Sequence, residues 1–296
     1  MNTSIRREQM QAGTIQQLWR YPVKSMGGEQ IDSAKVTANG ITGDRTWAVR
    51  DTRAGETTSA KKIPALLTCT ARTVGPPNEN GAFAVAIAVP GGATISTADL
   101  AEANDALSEL CERPVTLEWL RPADDVDFFR HGPRDADAAR PTIQEIMGME
   151  PGDPFPDFSG LPRALAEFAT PPGTFFDAYA LHIVTTASLS EVARLTAASR
   201  YEVRRFRPNI VVETPAGLTG FCEFEWTGKR LDAGGVGIGV HAPCVRCSMV
   251  MAPQPGLERD RPALRALVEH TGQNFGIYCN VVSPGEMRVG DSVTVG

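Results

Sequence analysis

The sequence of 296 residues contains no hydrophobic run of the roughly 18 to 20 residues needed to span a bilayer. Its most apolar stretch, residues 82–90, has only the length of a β-strand. Arg6 and Arg7 near the amino terminus are not followed by an apolar segment, so we expect no secretory signal. From these absences we expect a cytoplasmic protein that does not cross a membrane.

Positive charge is not in excess. The chain has 29 lysines and arginines against 35 aspartates and glutamates, a formal net charge of -6. Such a chain produces no field that attracts a polyanion, so we expect no nucleic-acid partner. Hydrophobic residues make up 42% of the chain and charged residues 22%, which excludes a disordered protein. This length favours two domains of modest size.

The chain has only six cysteines, few for a disulfide-stabilised protein of this length, and we expect no export signal. Free thiols are therefore expected rather than a disulfide framework. A Gly-x-Ser-x-Gly elbow is missing, which argues against a serine hydrolase. Residues 234–240 are rich in glycine, but His241-Ala242-Pro243 follows them instead of a helix, so we predict a strand there and not a dinucleotide site.

The amino-terminal part, residues 1–120, reads as short strands separated by turns, and we predict a small β-barrel-like domain. One helix is expected near its end, capped by Thr97 and stopped by Pro114. Residues 121–176 are rich in proline, glycine and aspartate and predict a connection with one short helix. The acidic residues there lack the spacing of a calcium loop, so a solvated loop is expected: Asp124, Asp125, Asp127, Asp135 and Asp137.

The carboxy-terminal part, residues 177–296, is again rich in strand patterns, which include residues 222–228. A Ser-x-x-Glu capping box, Ser188 to Glu191, predicts the start of one helix. A second helix is expected between Asp260 and Gly272. Because the strands come in runs, we predict a mainly β fold with some α, in which a second β-barrel carries flanking helices.

The chemical signal that stands out is a Cys-x-x-Cys pair, Cys244 and Cys247. As zinc ligands the pair lacks a second half, and as a redox couple it should open a helix, which nearby prolines disfavour. A third reading makes one thiolate a soft ligand to a metal or a metal-bearing cofactor, with Arg246 beside it to pair with an ionised sulfur. Two buried, inert thiols fit the spacing equally well.

Several basic and polar residues stand in short turn-like motifs: Lys24 and Ser25 in YPVKS, Arg45 in TGDR, and Arg207 and Asn209 in RRFRPN. Gathered around one pocket, such cations would suit a phosphate or another anionic ligand. Each residue by itself is as well explained by a surface charge or a loop contact. The residues alone therefore predict a β-rich, thiol-containing protein, and they leave open whether its cations bind an anion.

At this point the sequence resembles a known family. Residues 18–51 are similar to the β-barrel domain that precedes MOSC domains, which take their name from the carboxy-terminal part of molybdenum cofactor sulfurases. RFRPNIVV, APCVRC and residues 275–295 follow in the order found in the MOSC domain itself. In architecture the chain resembles the mitochondrial amidoxime-reducing components and their bacterial counterparts. The resemblance is weakest over residues 121–175.

The resemblance implies a molybdenum-molybdopterin cofactor, with Cys247 and not Cys244 as the ligand to the metal. It assigns Cys247 a catalytic role as well. By the same resemblance a set of residues would bind the cofactor: Lys24, Ser25, Arg45, Asp177, Ser188, Arg207, Asn209 and Arg246. The segment after Cys247 reads SMVMAPQPG, where relatives usually carry a Thr-Thr-Val-Asp type run, a difference that concerns the substrate side of the pocket.

The activity that the resemblance implies is the two-electron reduction of small N-hydroxylated compounds, such as hydroxylamines or amidoximes. The sequence lacks the cysteine spacing of a plant-type iron–sulfur cluster, so we expect a separate electron-donor protein of the flavin, iron–sulfur or haem type. Two alternatives stay open. One is a non-catalytic carrier of the cofactor or of sulfur, and the other is a thiol redox protein that uses Cys244 and Cys247 as a couple.

Overall fold

The computed structural model describes residues 10–78, 82–133, 141–197 and 199–296. Its strands are β1 (Met10–Arg20), β2 (Glu29–Ile31), β3 (Ser33–Thr37), β4 (Gly40–Ile41), β5 (Trp47–Asp51), β6 (Glu56–Thr57), β7 (Thr70–Val74), β8 (Ala84–Ala88), β9 (Thr94–Ser96), β10 (Val115–Trp119), β11 (Leu181–Thr185), β12 (Ile210–Glu213), β13 (Arg230–Ala233), β14 (Val236–Val245), β15 (Asn274–Ser283), β16 (Gly285–Arg288) and β17 (Ser292–Val295). Its α-helices are α1 (Leu100–Leu110), α2 (Val126–Phe129), α3 (Ile143–Met147), α4 (Thr186–Leu195), α5 (Val203–Phe206) and α6 (Arg261–Thr271). Short 3₁₀ helices span Pro64–Thr68, Arg163–Ala166, Cys222–Trp226 and Ser248–Met251.

Seven strands close into a barrel in the order β12, β11, β15, β14, β13, β17 and β1, and β1 returns to pair with β12. Strands β11 and β12 are parallel, while the other neighbours in the ring are antiparallel. The predicted mainly β fold with a barrel is confirmed. Because β1 completes a barrel whose other strands lie after residue 180, the predicted units 1–120 and 177–296 share it, and their boundaries stay a prediction.

The barrel is filled by aliphatic side chains that its strands turn inward. Ile15, Leu18, Ile183, Val212 and Ile238 are among these side chains, and none is more than 1% exposed. Burial of such surface contributes about 25 cal/mol for each Å² removed from water, so this interior is the main source of the barrel's stability. Because this interior holds the strands in place, residues at the strand ends have fixed positions and can carry functional groups.

Three small sheets lie beside the barrel, ordered β10-β5-β6, β16-β3-β4 and β7-β8-β9. The amino-terminal part supplies their strands except β16, which comes from the carboxy-terminal part. Helix α1 packs beside β9 and β10, but its cap differs from the prediction. The Asp99 side chain accepts a hydrogen bond from the Glu102 amide at 3.0 Å. Thr97 instead accepts from the Val85 amide at 2.9 Å, so its hydroxyl serves the sheet and the predicted Thr97 cap is wrong.

Two carboxy-terminal helices test the predicted caps. Helix α6 begins after Asp260 and ends at Gly272 in the left-handed conformation, as predicted. Helix α4 starts earlier than predicted, because Thr185 accepts a hydrogen bond from the Ser188 amide and is the cap. The predicted Ser188–Glu191 capping box is therefore wrong.

The connection between the two parts contains more regular structure than its composition predicts. It holds α2, α3 and a 3₁₀ helix where one short helix was expected. Helix α3 has a capping box of Thr142 and Glu145 and a left-handed Gly148 at its end. Asp135 and Asp137, like Arg6 and Arg7, lie outside the described residues.

Two further predictions concern strands of the carboxy-terminal part. The predicted strand at residues 234–240 is confirmed by β14, which forms a hairpin with β13. The predicted strand at residues 222–228 is wrong, because Cys222–Trp226 forms a 3₁₀ helix that turns Glu223 inward. No helix within the described ranges is long and apolar enough to cross a membrane.

Candidate functional site

A cleft of about 280 Å³ opens at the barrel, where the segments before β11 and β12 and after β14 meet helix α3 and the residues that follow it. Two groups of side chains line it. The cationic wall, as we call it, consists of Arg45, Lys61, Arg207, Arg246 and Cys247. The apolar wall consists of Ile143, Ile146, Met147, Phe158, Leu161 and Leu165. Further lining residues include Asp177, Tyr179, His182, Asn209, Cys244 and Tyr278.

The two cysteines of the Cys-x-x-Cys pair have different environments. Cys244 is buried, at 1% exposure, and its sulfur accepts a hydrogen bond from Arg246 Nη1 at 2.9 Å. Cys247 follows the end of β14, is half-buried and lines the cleft. Arg246 also donates from Nη2 to the Phe206 carbonyl at 2.8 Å, and its buried Nε has no hydrogen-bond partner among the described residues. Cys247 is therefore the better placed of the two thiols to meet a ligand.

Arg45 and Arg207 share an aromatic support. Both have a left-handed backbone, with φ of 48° and 55°, and both guanidinium groups lie over the ring of Tyr21, at 5.0 and 4.4 Å from its centroid. Arg207 donates from Nη1 to the Met26 carbonyl, but its buried Nη2 has no partner within the described residues. Burial, together with the charge of Arg45, lowers the pKa of Arg207 to about 10. An anion in the cleft would relieve this unfavourable environment.

Lys24, Lys61 and Asp177 form a charged cluster at the edge of the cleft. Lys24 is 3% exposed, and its Nζ donates to Asp177 Oδ1 at 2.8 Å and to the Phe175 carbonyl at 3.1 Å. Lys61 Nζ lies 3.6 Å from the same carboxylate oxygen. Burial raises the pKa of Asp177, but the two lysines outweigh it and hold that pKa well below its usual range. Asp177 raises the pKa of Lys61, so both groups are charged near neutral pH.

Asn209 and His182 hold the cationic wall against the barrel. Asn209 Oδ1 accepts from the His182 amide at 3.2 Å and from Arg45 Nη1 at 3.5 Å. The His182 ring contacts the Phe275 carbonyl through Nε2 at 3.1 Å. Burial, with the charge of Arg246 nearby, lowers the pKa of His182 to about 3. His182 is thus neutral at physiological pH and donates this hydrogen bond from Nε2.

The structure brings six of the nine sequence-predicted site residues to the cleft lining: Arg45, Asp177, Arg207, Asn209, Arg246 and Cys247. Lys24 and Ser25 lie just behind that lining. Lys24 reaches it through Asp177, and the buried Ser25 hydroxyl accepts from the Ala60 amide at 3.0 Å, next to Lys61.

Ser188 is the exception among the predicted residues. Its hydroxyl donates to the buried Glu223 carboxylate, 2.6 Å from Oε1, and it does not line the cleft. The resemblance to the family placed Ser188 near the cofactor, but the side chain turns to Glu223 instead. The expected position at the cleft is therefore corrected, and the cofactor-binding role of Ser188 stays a prediction.

Sequence reasoning missed several polar or aromatic residues of the site, among them Tyr21, Lys61, His182 and Tyr278. Tyr21 lies inside the YPVKS motif that was singled out, so the motif could have indicated it. Lys61 stands beside Lys62 and reads as a surface charge, while His182 and Tyr278 read as strand residues. No pattern in the sequence distinguishes these three from structural residues.

Two family models match the chain, and together they cover most of it. The MOSC N-terminal beta barrel domain matches residues 12–113, and the MOSC domain matches residues 171–294. Each match falls where the motifs of the cleft are found, since Lys24 and Arg45 lie in the first and Arg207 and Cys247 in the second. The chain belongs to the MOSC family, in the arrangement with an amino-terminal MOSC β-barrel domain.

Curated relatives fall into two groups. Mitochondrial amidoxime-reducing component 1 of Homo sapiens is 26% identical, and the match covers 98% of this chain and 85% of that protein. The molybdenum cofactor sulfurase of Drosophila erecta is also 26% identical, over 94% of this chain but 33% of its own length. Among solved structures, the YUAD protein from Bacillus subtilis matches with 15% identity and a TM-score of 0.42, over 97% of both chains.

Proposed function

We propose that this protein is a molybdenum-cofactor oxidoreductase that reduces small N-hydroxylated compounds, with Cys247 as the protein ligand to the metal. One observation carries the proposal: the half-buried thiol of Cys247 shares a cleft with four cationic side chains. Relatives named as amidoxime-reducing components, matched over nearly the whole chain, support the reductive activity.

The donor set suits a molybdopterin. A thiolate is a soft ligand of the kind that a redox-active metal prefers. Arg207 Nη2 and Arg246 Nε are buried donors without partners among the described residues, and a phosphate group is the type of ligand that would satisfy them. Arg45 and Lys61 would add positive charge beside the phosphate, while Lys24 would act through Asp177.

When bound, the cofactor would supply the two-electron chemistry, and the protein would bind, orient and provide protons. Reduction of a hydroxylamine consumes two electrons and two protons, breaks the N–O bond and yields an amine and water. Lys61 holds a proton at Nζ and lines the same cleft as Cys247. We propose Lys61 as the proton donor, with Asp177 holding its ammonium group in place. The electrons would come from a separate donor protein of the flavin, iron–sulfur or haem type.

The test is to measure molybdenum and pterin in the purified protein and to assay reduction of hydroxylamine and benzamidoxime with reduced methyl viologen as donor. We expect about one molybdenum and one pterin for each chain, and turnover of both substrates. Stoichiometric molybdenum without any reduction would contradict the enzyme and favour a cofactor carrier. Absence of pterin, together with a reversible Cys244–Cys247 disulfide, would favour a thiol couple.

A further inference from the structure

The apolar wall consists of hydrophobic side chains that face a cleft instead of a core. Ile143 is 43% exposed, and Ile146, Phe158, Leu161 and Leu165 are half-buried. They come from helix α3 and from residues 158–165, outside the closed barrel. Several half-exposed apolar groups that converge on one cleft are a feature of small-molecule binding sites.

This wall is fixed to the same segment that carries Cys247. Gln273 is 2% exposed, and its side-chain amide donates to the Met147 carbonyl at 2.7 Å and to the Arg246 carbonyl at 2.9 Å. The Gln273 backbone carbonyl also accepts from the Arg246 amide at 2.8 Å. One buried side chain thus joins the end of α3 to the residue before Cys247, so the two walls are held at a set spacing.

Further contacts anchor the rest of the wall. Asp153 accepts two hydrogen bonds from Arg265 of α6, at 2.6 and 2.7 Å. Tyr179 donates to the Gly160 carbonyl at 2.7 Å, and a side chain at Gly160 would meet Ala242 of β14. Since all these contacts are made within the protein itself, they hold the wall in place, which lowers the entropic cost of binding.

We propose that the apolar wall binds the hydrophobic body of the substrate, so that the protein prefers N-hydroxylated compounds whose polar group carries an aromatic or branched alkyl substituent. Ile143, Ile146 and Phe158 would be its specificity-determining residues. The wall faces the same cleft of about 280 Å³ as Cys247, which is the setting of a small-molecule ligand. This inference rests on the proposed function, because that function supplies the polar end of the substrate beside Cys247.

The test compares two amidoximes that differ only in their body, benzamidoxime and acetamidoxime. Calorimetric titration of each into the purified protein measures binding without turnover. We expect benzamidoxime to bind at least about tenfold more tightly, since a hydrophobic contact of this size discriminates by roughly that factor or more. In Ile143→Ala and Phe158→Ala proteins this preference should shrink to about threefold or less, while acetamidoxime binding stays the same.

Phe155→Ala is the matched control, because Phe155 belongs to the same connection and is 59% exposed but does not line the cleft. Its benzamidoxime preference should equal that of the wild type. Equal binding of the two amidoximes by the wild type, or a preference that survives in both wall variants, would overturn the proposal. Ile143 is largely exposed, so its substitution tests the wall even if Phe158→Ala does not fold.

A turnover assay separates this inference from the proposed function. If the wild type binds benzamidoxime more tightly but reduces neither amidoxime, the proposal for the apolar wall is supported and the reductase proposal fails. If both amidoximes are reduced with the same KM and bound equally, the reductase proposal stands and the wall proposal fails. When both hold, Ile143→Ala should raise KM for benzamidoxime at unchanged kcat.

Discussion

The two walls of the cleft are built by different means. The cationic wall consists of four cationic side chains and the Cys247 thiol. Buried contacts hold its arginines, such as those of Arg207 with the Met26 carbonyl and of Arg246 with the Cys244 sulfur. The apolar wall consists of half-exposed hydrophobic groups on a connection outside the barrel, held by a few polar anchors. One wall therefore has charge that is costly to bury, and the other has hydrophobic surface that is costly to expose.

This difference indicates which kind of ligand group each wall would bind. Buried guanidinium nitrogens that have no partner among the described residues favour an anion, and exposed hydrophobic groups favour an apolar ligand body. A ligand set that satisfies both consists of an anionic cofactor and a hydrophobic substrate. The predictions below test whether the walls carry these separate roles, from the largest expected effect to the smallest.

The largest effect is expected from the thiols. Cys247→Ala should remove molybdenum or lower the rate of reduction by at least about a hundredfold, because the other cleft cysteine, Cys244, is buried and its sulfur is hydrogen-bonded to Arg246. The loss in Cys244→Ala should be smaller, since the Cys244 sulfur already accepts a hydrogen bond from Arg246. Metal analysis and turnover of benzamidoxime check this, with circular dichroism to show that both variants fold. Equal and complete loss in the two proteins would contradict the assignment.

Loss of a cation should weaken cofactor retention without changing substrate preference. Arg207→Ala should cost about 1.5 to 3 kcal/mol of cofactor binding, the range for a hydrogen bond to a charged group. Lys24→Ala should cost less, because Lys24 acts on the cleft through Asp177. Pterin and molybdenum occupancy after dialysis measure the loss. Arg194→Ala is the matched control, because Arg194 is an exposed arginine that pairs with Glu191 and does not line the cleft. Unchanged occupancy in both cleft variants would count against the pocket.

The link between the walls should contribute to stability. Gln273→Met keeps the length of the side chain but leaves the Met147 and Arg246 carbonyls without their donor. We expect a loss of about 1 to 3 kcal/mol in the free energy of unfolding, together with a higher KM for benzamidoxime. Urea denaturation and steady-state kinetics check the two effects. Full stability with wild-type KM would show that the walls are positioned independently.

The smallest effect concerns a carboxyl that belongs to neither wall. Burial raises the pKa of Glu223 above its ordinary value of 4.5, despite its hydrogen bonds from Ser188 and Thr185. The folded state therefore holds this proton more tightly than the unfolded state. Its stabilising contribution is complete below pH 4.5 and is lost as the pH rises through the raised pKa, by on the order of 1 kcal/mol per pH unit.

Glu223→Gln tests this linkage, because the amide does not titrate. The free energy of unfolding of the wild type, relative to that of Glu223→Gln, should fall as the pH rises from 4.5, and molybdenum content should not differ. A stability difference that does not change with pH would contradict the raised pKa of the buried carboxyl.

Ser188→Ala should likewise leave the molybdenum content unchanged. A drop in that content would show that Ser188 contributes to cofactor binding.

The sequence predicts the cationic wall far better than the apolar wall. Short motifs such as YPVKS, RFRPN and APCVRC contain charged residues in turns, and the resemblance to the family gave these residues a common pocket. The fold class followed from runs of strands without regular helices between them. Lys61 was missed because a lysine beside another lysine has the pattern of a solvated surface.

The apolar wall was not predictable in this way. Its six side chains lie within a connection rich in proline and glycine, where no helical or strand period continues long enough to indicate a buried face. Helix α3 has five residues, too few to show a period. Ser188 failed for the converse reason, since a plausible motif position does not reveal that a buried Glu223 will bind its hydroxyl.

The central claim is that the sulfur of Cys247 binds molybdenum. X-ray absorption at the molybdenum edge measures this directly, in the wild type and in Cys247→Ser and Cys244→Ser proteins. We predict one fewer sulfur neighbour around the metal in Cys247→Ser alone, with the wild-type count retained in Cys244→Ser. The same sulfur count in all three proteins, or a loss confined to Cys244→Ser, would contradict the account.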